Sequence, residues 1–130
     1  MHAKASGHDQ QDQFMLGRCG EAAAAAWYED LGYEIVQLRY LAKGGEIDVI
    51  ARAPDGTVVF AEVKTRRGRS FGAAEAVTAT KLRRIRTAAA QWLDAQDGSY
   101  APVRFDVIEV IYDGVNVSTR MYQGVDDAAC

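Results

Sequence analysis

The sequence has few of the residues that build disulfide scaffolds, histidine-based metal sites or membrane spans. Among its 130 residues are two cysteines, Cys19 and Cys130, which lie near opposite ends without metal-ligand spacing. We therefore expect free thiols in a reducing, cytoplasmic setting. The two histidines, His2 and His8, fall in a polar N-terminal stretch and are poor candidates for a site. No apolar run approaches the roughly 18 residues that a membrane span requires, so no membrane partner is expected.

Length and composition predict one soluble domain. A hydrophobic content of 48% and a charged content of 25% are ordinary for globular proteins. The opening stretch MHAKASGHDQQDQF has one lysine and no apolar core, which indicates a flexible tail rather than a signal peptide. We expect a tail over residues 1–14, a single domain over 15–123 and a C-terminal tail over 124–130.

The charge is unevenly distributed along the chain. From Lys64 to Arg86 there are eight Lys and Arg residues against Glu75 alone, a local charge of +7 in a chain whose net charge is −3. Such a basic stretch is a footprint of phosphate-backbone binding, although a solvated helix face beside an Arg-rich loop has the same composition. Charge by itself leaves both interpretations open.

Local patterns predict a helix, three strands, a helix and two strands. A first helix is expected over 17–31, ending at Gly32, and a second from a Thr78 cap to about Ala95. The apolar stripe of the second helix is expected to pack inward: Leu82, Ile85, Ala89, Trp92 and Leu93.

The strands are predicted from enrichment in β-branched and aromatic residues. The first three are YEIVQLRYLA, GEIDVIARA and TVVFAEVKTR, and the last two, VRFDVIEVIY and VNVSTRMYQ, flank Asp113-Gly114, a signal for a tight two-residue hairpin. A crossover helix between the third and fourth strands favours a parallel pair, while the other neighbours form antiparallel hairpins. The order αβββαββ therefore predicts an α/β domain with a mixed sheet flanked by helices.

The turn between the second and third strands decides which charged residues share a face. A two-residue Asp55-Gly56 loop places Asp48 opposite Val63, whereas a three-residue loop that begins at Pro54 places Asp48 opposite Glu62. In the second register Glu46 lies opposite Lys64. The residues favour the three-residue loop, because Pro and Asp suit a type I turn and Gly suits the left-handed position that follows.

Two carboxylates facing each other on a sheet require compensation. Like charges directly opposite are unfavourable, and removing a carboxylate from water costs several kcal/mol. Lys64 supplies one positive charge, and a divalent ion such as Mg²⁺ suits one or two carboxylates together with substrate phosphate. A surface salt-bridge cluster on a solvated sheet face explains the same residues, and both interpretations stay open at this point.

These residues resemble a nuclease signature. Asp48, followed fourteen positions later by Glu62-Val63-Lys64, resembles the acidic residue, hairpin and Glu-x-Lys of the restriction-endonuclease-like superfamily. The wider segments GRCGEAAAAAWYEDLGYEIV, GGEIDVIA, VVFAEVKTR, FGAAEAV and KLRRIRTAAAQWL resemble the YraN-like family of small bacterial proteins over about residues 15–112. Archaeal Holliday-junction resolvases share this layout.

The resemblance implies a restriction-endonuclease-like fold and a set of site residues. Asp48 and Glu62 are expected to hold Mg²⁺ or Mn²⁺ with the backbone carbonyl of Val63, and Lys64 is expected to act on the attacking water and the phosphate. Glu21 matches an early helical glutamate that acts as a further ligand, although a first-turn Glu also gains from the helix dipole.

Three positions bear further on the resemblance. Ile47 stands where the superfamily often has proline, as is usual in the YraN-like group. The Asn-x-Arg expected of that family before GGEID reads Arg39-Tyr40-Leu41, which leaves the role of this strand in substrate contact open. Asp106 matches a recurring acidic position, for which we expect a structural role.

The implied function is a metal-dependent endonuclease acting on structured or branched DNA, with DNA favoured over RNA and a homodimer as one arrangement. The alternative is a non-catalytic nucleic-acid-binding or assembly module that retains the fold. Phe71, in the loop SFG, is either part of a flap or an ordinary core residue. The residues expected to contact phosphates without reading sequence are Arg66, Arg67, Arg69, Lys81, Arg83, Arg84 and Arg86.

Overall fold

The computed structural model describes residues 17–68, 78–96 and 102–125. The predicted N-terminal tail, Arg69, Phe71 and positions 126–130 of the predicted C-terminal tail lie outside the described residues. The elements are helix α1 over 17–30, strands β1 Glu34–Ala42, β2 Gly45–Arg52 and β3 Val58–Arg67, helix α2 Ala79–Asp94, and strands β4 Val103–Tyr112 and β5 Val117–Tyr122.

The five strands form one mixed sheet in the order β1-β2-β3-β4-β5. The β3–β4 pair, which α2 connects, is parallel, and the other three pairs are antiparallel. The prediction of a mixed sheet flanked by helices is confirmed. In this order the two strands that carry the charged motif, β2 and β3, lie at the interior of the sheet.

The helices begin and end where their capping residues predict. The hydroxyl oxygen of Thr78 accepts a hydrogen bond from the Lys81 amide at the start of α2, and Gly32 takes φ 88° after α1. The amide of Tyr33 donates to the Tyr28 carbonyl at 2.9 Å, which closes the C-terminus of α1. Neither of the helices in the described ranges has the length and apolar character needed to cross a bilayer.

The helices cover opposite faces of the sheet. Ala24 and Tyr28 of α1 pack against one buried cluster, whose sheet residues are Val49, Ala51, Val59, Ala61, Ile108 and Val110. The inward stripe of α2 packs against the other cluster, whose sheet residues are Ile47, Ile50, Val58 and Phe60. The strands β2 and β3 are therefore packed on both faces, between the two helices.

Helix α2 approaches β2 unusually closely at Gly45. A Cβ atom added there would lie 2.5 Å from the carbonyl oxygen of Arg84, so the contact requires glycine. The side chain of Gln91 also bonds both the amide and the carbonyl of Lys43, at 3.2 and 2.8 Å. These contacts, one in each half of α2, hold the helix over the start of β2, where Glu46 and Asp48 lie.

Asp106 links α1 to β4, and both of its carboxylate oxygens are occupied by hydrogen bonds within the protein. The hydroxyl of Tyr28 donates to its Oδ2 atom at 2.8 Å, and Arg104 donates to both carboxylate oxygens at 2.9 Å. The Gly124 amide donates to Oδ1 at 3.2 Å. Asp106 is 2% exposed, so this carboxylate acts as a buried link between elements.

The β4–β5 turn is displaced by one residue from the predicted one. The Asp113 amide donates to the Asn116 carbonyl at 3.1 Å, so Gly114 and Val115 form the tight loop and Asp113 stands at its corner. The Asp113 carboxylate accepts from the amides of Val115 and Asn116 at 2.8 and 2.7 Å. This side-chain turn outweighs the Asp-Gly preference for the central positions.

Candidate active site

The β2–β3 hairpin has the predicted three-residue loop. The Ala53 amide donates to the Thr57 carbonyl at 2.8 Å, and Gly56 takes φ 94°. From there the register runs from Arg52 opposite Val58 to Val49 opposite Ala61. The turn chemistry of Pro54, Asp55 and Gly56 is therefore confirmed, and it directs Asp48 towards the part of β3 that carries Glu62.

Backbone pairing between β2 and β3 stops at Val49 and Ala61. Beyond that point the side chain of Asp48 replaces the ladder, because its Oδ2 atom accepts a hydrogen bond from the Val63 amide at 2.7 Å. The alternation of faces also breaks here, since Ile47 packs in the α2 cluster while Val49 packs in the α1 cluster. The irregularity brings both charged strand ends to one cleft.

The surroundings of Asp48 are unfavourable for a negative charge. Burial raises the pKa of its carboxyl to about 6, the hydrogen bond from Val63 opposes that increase, and the carboxylates of Glu62, Glu46 and Glu21 add to it. Among the residues that the structure describes, no lysine or arginine forms an ion pair with Asp48. The site therefore has an excess of negative charge at this residue.

Glu62 is 9% exposed and only one of its oxygens is bonded. The Oε1 atom lies 2.6 Å from Nζ of Lys81 and 3.6 Å from Nζ of Lys64. The Oε2 atom is buried and has no hydrogen-bond partner within the described part of the chain. An unpartnered oxygen on a buried carboxylate costs free energy unless a ligand satisfies it.

The two lysines that share Glu62 affect each other. Burial lowers the pKa of Lys64, and the ammonium of Lys81 lowers it further. Burial is the largest single influence on Lys81 and acts to lower its pKa, but hydrogen bonding to Glu62 and Lys64 and the charges of Glu62 and Asp48 together raise the pKa above its ordinary value. Lys81 is therefore the more firmly charged partner of Glu62.

Glu21 is held by a residue whose role the sequence left open. Both of its carboxylate oxygens accept from Nε of Arg39, at 2.8 and 2.7 Å. Arg39 takes φ 54°, the one positive φ of a non-glycine residue in the described ranges. Asn is enriched in this left-handed region, which explains why the resemblance leads one to expect Asn at this position. Arg39 adopts the same backbone conformation and adds a cation.

Glu46 does not reach Lys64. It pairs with Leu41 in the β1–β2 ladder and its side chain is exposed. Across the ranges that the structure describes, no ion pair joins it to Lys64, which contacts Glu62 instead. The expected Glu46–Lys64 opposition is wrong because the β2–β3 ladder ends before these positions.

A cleft of about 730 Å³ lies beside the carboxylates. Its walls come from the β1–β2 turn, the ends of β2 and β3, and the first turns of α2. The residues that line it are Leu41, Gly44, Gly45, Glu46, Asp48, Glu62, Lys81, Arg84 and Ile85. The cleft thus brings three carboxylates, Glu46, Asp48 and Glu62, together with two basic residues of α2.

The other predicted phosphate-binding residues lie apart from this cleft or outside the described residues. Arg66 bonds Glu109, a fully buried carboxylate, at 3.3 Å, and Arg67 lies over the ring of Tyr112 at 5.4 Å. Arg83 donates to the Thr80 hydroxyl. Arg83 and Arg86 are both exposed on α2, and Arg69 is not described. Of the predicted phosphate-binding residues that the structure describes, only Lys81 and Arg84 line the cleft.

Lys81 was expected as a phosphate contact, and its place against Glu62 was missed. The signal was present, because Lys81, Ile85, Ala88 and Trp92 follow one helical stripe at spacings of four, three and four. Its last three members are buried against the sheet. Extending the stripe by one turn points Lys81 at the same face of the sheet.

Two carboxylates of the cleft are of the donor type that a hard divalent cation requires. No cluster of three or more His, Cys, Asp or Glu side chains suited to a metal occurs in the described ranges. Asp48 and Glu62 supply two carboxylates, one with a raised pKa and one with an unpartnered buried oxygen. Mg²⁺ is bound in this way, through one or two carboxylates with water and phosphate oxygens.

The chain resembles known proteins over most of its length. The model of the family described as "Uncharacterised protein family UPF0102" matches residues 20–110. A UPF0102 protein of Corynebacterium efficiens is 47% identical over 116 residues, 88% of this chain and 93% of that protein. One of Nocardia farcinica is 50% identical over 101 residues, 77% of this chain and 79% of that protein. These matches bear out the resemblance to the YraN-like group, and the chain belongs to the UPF0102 family.

Proposed function

We propose that the protein is a metal-dependent endonuclease that hydrolyses phosphodiester bonds of DNA. The observation that carries this proposal is Glu62, a buried carboxylate with one unpartnered oxygen in a cleft that also contains Asp48 and two cations. Buried charge of this kind is unfavourable for stability and is typical of functional sites.

The fold supports the same proposal. Three antiparallel strands, a crossover helix and a parallel fourth strand form the layout that the resemblance implies for restriction-endonuclease-like proteins. In that layout the Asp and the Glu-x-Lys follow one another across a hairpin, as Asp48 and Glu62 do here. The mixed sheet alone is compatible with other activities, so the proposal depends on the site.

Asp48, Glu62 and the carbonyl of Val63 would hold Mg²⁺ or Mn²⁺. When bound, such an ion supplies positive charge to the phosphate oxygens and lowers the pKa of water. Lys64, whose pKa is lowered by burial, orients water beside Glu62 and stabilises charge that develops on the phosphate. Glu21 would serve as a further ligand, and its carboxylate, which binds Arg39 through both oxygens, would first have to leave that arginine.

The substrate would be held through its backbone. Lys81 and Arg84 line the cleft, and Arg83 and Arg86 extend the positive surface along the exposed side of α2. Phosphate contacts of this kind provide affinity without reading sequence. Recognition by shape then favours a branched, nicked or flapped DNA, for which deformation is easy.

A second candidate is a nucleic-acid-binding module without catalysis. It is favoured by one observation: the carboxylates Glu62 and Glu21 already have cationic partners in Lys81 and Arg39. A site neutralised by its own side chains needs no metal. In this account the basic surface binds DNA and the acidic residues serve to position lysine and arginine.

Two variants separate the candidates. Purified wild type, Asp48→Ala and Lys64→Ala are compared for binding and for Mg²⁺-dependent cleavage of a labelled flapped DNA. The nuclease account expects cleavage to fall at least about a hundredfold in both variants while binding is retained. Cleavage unaffected by both substitutions contradicts it. Binding without cleavage by the wild type, on every DNA structure tried, favours the second candidate.

A further inference from the structure

Two lysines from different elements converge on a single oxygen. Lys64, on β3, is 3.6 Å from Oε1 of Glu62, and Lys81, on α2, is 2.6 Å from the same atom. The nuclease signature accounts for Lys64 alone. The proposed phosphate contact gives Lys81 a role towards the substrate, but it does not account for the short distance between its ammonium and Glu62.

The position of Lys81 is built into the start of α2. Its amide donates to the hydroxyl of the Thr78 cap at 3.1 Å, and the turn that follows is buried through Leu82 and Ile85. The backbone of Lys81 is therefore fixed over the sheet. Its side chain has four methylene groups with rotatable bonds and is 38% exposed, so a change of rotamer can carry the ammonium away from Glu62.

We propose that Lys81 is the resident counter-ion of Glu62, occupying that carboxylate until a divalent cation binds and then passing to a phosphate oxygen of the substrate. The inference rests on the proposed function, because it assigns Lys81 a position relative to the metal and the DNA. It makes Lys81 a competitor of the metal and a ligand of the phosphate at successive stages.

Two electrostatic requirements act on Lys81, one before and one after a cation binds. A carboxylate as buried as Glu62 needs a positive partner in the metal-free protein, and Lys81 supplies it at the shorter of the two distances. A divalent cation arriving at Glu62 is repelled by an ammonium only a few ångströms away, so the ammonium must withdraw. The nearest negative group that arrives with the cation is the substrate phosphate, to which lysine binds as a point charge.

The test measures metal binding without DNA or cleavage. Mn²⁺ is titrated into the full chain by calorimetry and by electron paramagnetic resonance, for wild type, Lys81→Met and Arg83→Met. Lys81→Met is expected to bind Mn²⁺ about tenfold more tightly, because the competing charge is removed. Arg83→Met removes the same charge from the same helix without touching Glu62, and its dissociation constant is expected to stay within about twofold of wild type.

Further variants keep the result interpretable. Lys81→Gln is measured beside Lys81→Met, and the fold of each is checked by circular dichroism. Glu62→Gln, added to the wild type or to Lys81→Met, is expected to abolish Mn²⁺ binding. Unchanged or weaker Mn²⁺ binding in folded Lys81 variants overturns the inference. So does an absence of Mn²⁺ binding in every protein.

The second half of the proposal has its own measurement. With Ca²⁺ in place of Mg²⁺ and Mn²⁺, Lys81→Met is expected to bind a flapped DNA at least about fivefold more weakly, and Lys81→Arg is expected to restore most of the affinity. If Lys81 had only a structural role, the folded variants would bind DNA with the same affinity as the wild type. Because neither measurement reads cleavage, a failed nuclease assay and a failed counter-ion test are distinct results.

Discussion

The Oδ2 atom of Asp48 accepts a hydrogen bond from the backbone amide of Val63 at 2.7 Å, at the point where β2 and β3 cease to pair. The carboxylate thereby takes the place of a backbone carbonyl. In consequence Asp48 is positioned by a hydrogen bond to the adjacent strand, at the residue that follows Glu62, and not by a flexible loop. Such placement on rigid elements is what a precise chemical site requires.

The raised pKa of Asp48 predicts a pH-dependent effect of Asp48→Asn on stability. The folded-state pKa of about 6 exceeds the ordinary value of 3.8, so the ionised carboxylate destabilises the fold. The wild type therefore loses stability as pH rises from about 4 through about 6, while Asp48→Asn does not. Without metal, the variant is expected to gain about 1–3 kcal/mol over wild type at pH 8.

Denaturant unfolding in EDTA at pH 4.5 and pH 8 measures this difference. The asparagine oxygen keeps the bond to the Val63 amide, so a change in hydrogen bonding does not interfere. A gain that is equal at both pH values, or a loss at pH 8, contradicts the burial and charge argument for Asp48.

Much of this geometry was predictable from local residues. Pro54, Asp55 and Gly56 specify a three-residue loop, and the loop length specifies the register that directs Asp48 towards Glu62. The end of the ladder was not predictable, because it depends on where Ile47 and Val49 find packing space on opposite faces. For that reason neither expected pair, Asp48 with Glu62 or Glu46 with Lys64, is part of the ladder, although Asp48 and Glu62 line the same cleft.

Arg39 provides a prediction about backbone strain. Its φ of 54° is unfavourable for most residues but tolerated by Asn. Its ion pair with Glu21 joins a 41% exposed side chain to a largely buried one and contributes little to stability. We expect the free energy of unfolding of Arg39→Asn to lie within about 1 kcal/mol of the wild-type value. For Arg39→Val we expect it to fall by about 1–3 kcal/mol, because a β-branched residue is strained in this backbone conformation.

Thermal unfolding of the two Arg39 variants, side by side, provides the comparison. Equal losses in both would mean that the ion pair with Glu21, rather than the backbone conformation, controls the stability at this position. A normal melting temperature for Arg39→Val would show that β1 relaxes out of the left-handed conformation.

The Asp106 network predicts a loss of stability without a loss of chemistry. Tyr28→Phe removes one hydrogen bond to a buried carboxylate that keeps its two bonds from Arg104. The expected cost is about 1–2 kcal/mol. Urea unfolding measures it, and cleavage per folded molecule is expected to be unchanged. A selective fall in cleavage would assign Asp106 to the site instead of the core.

Salt dependence distinguishes two adjacent arginines. Arg84 lines the cleft while Arg83 is exposed beside Thr80. Each phosphate contact contributes about 0.9 to the slope of log affinity against log salt, so Arg84→Gln is expected to flatten the slope by about one. Arg83→Gln is expected to change it less. The reverse order in a fluorescence titration would move the DNA to the other side of α2.

The elements missed by sequence reasoning have physical causes. Lys81 follows the buried stripe of α2, but a lysine in a basic run is first interpreted as solvent-exposed. Arg39 is left-handed although arginine has no preference for that region, so no local signal marked it. The β4–β5 turn lies one residue from the predicted position because the Asp113 carboxylate accepts hydrogen bonds from two backbone amides of the turn. In each case a tertiary or side-chain contact outweighed a local propensity.

The central claim is tested most directly by cleavage. Wild type and Glu62→Gln are incubated with labelled linear, nicked, flapped and four-way DNA in Mg²⁺ or Mn²⁺, with EDTA controls. The account predicts cleavage of at least one structured DNA by the wild type, none in EDTA, and at least about a hundredfold less by Glu62→Gln with binding retained. Cleavage that persists in EDTA or in Glu62→Gln would contradict it.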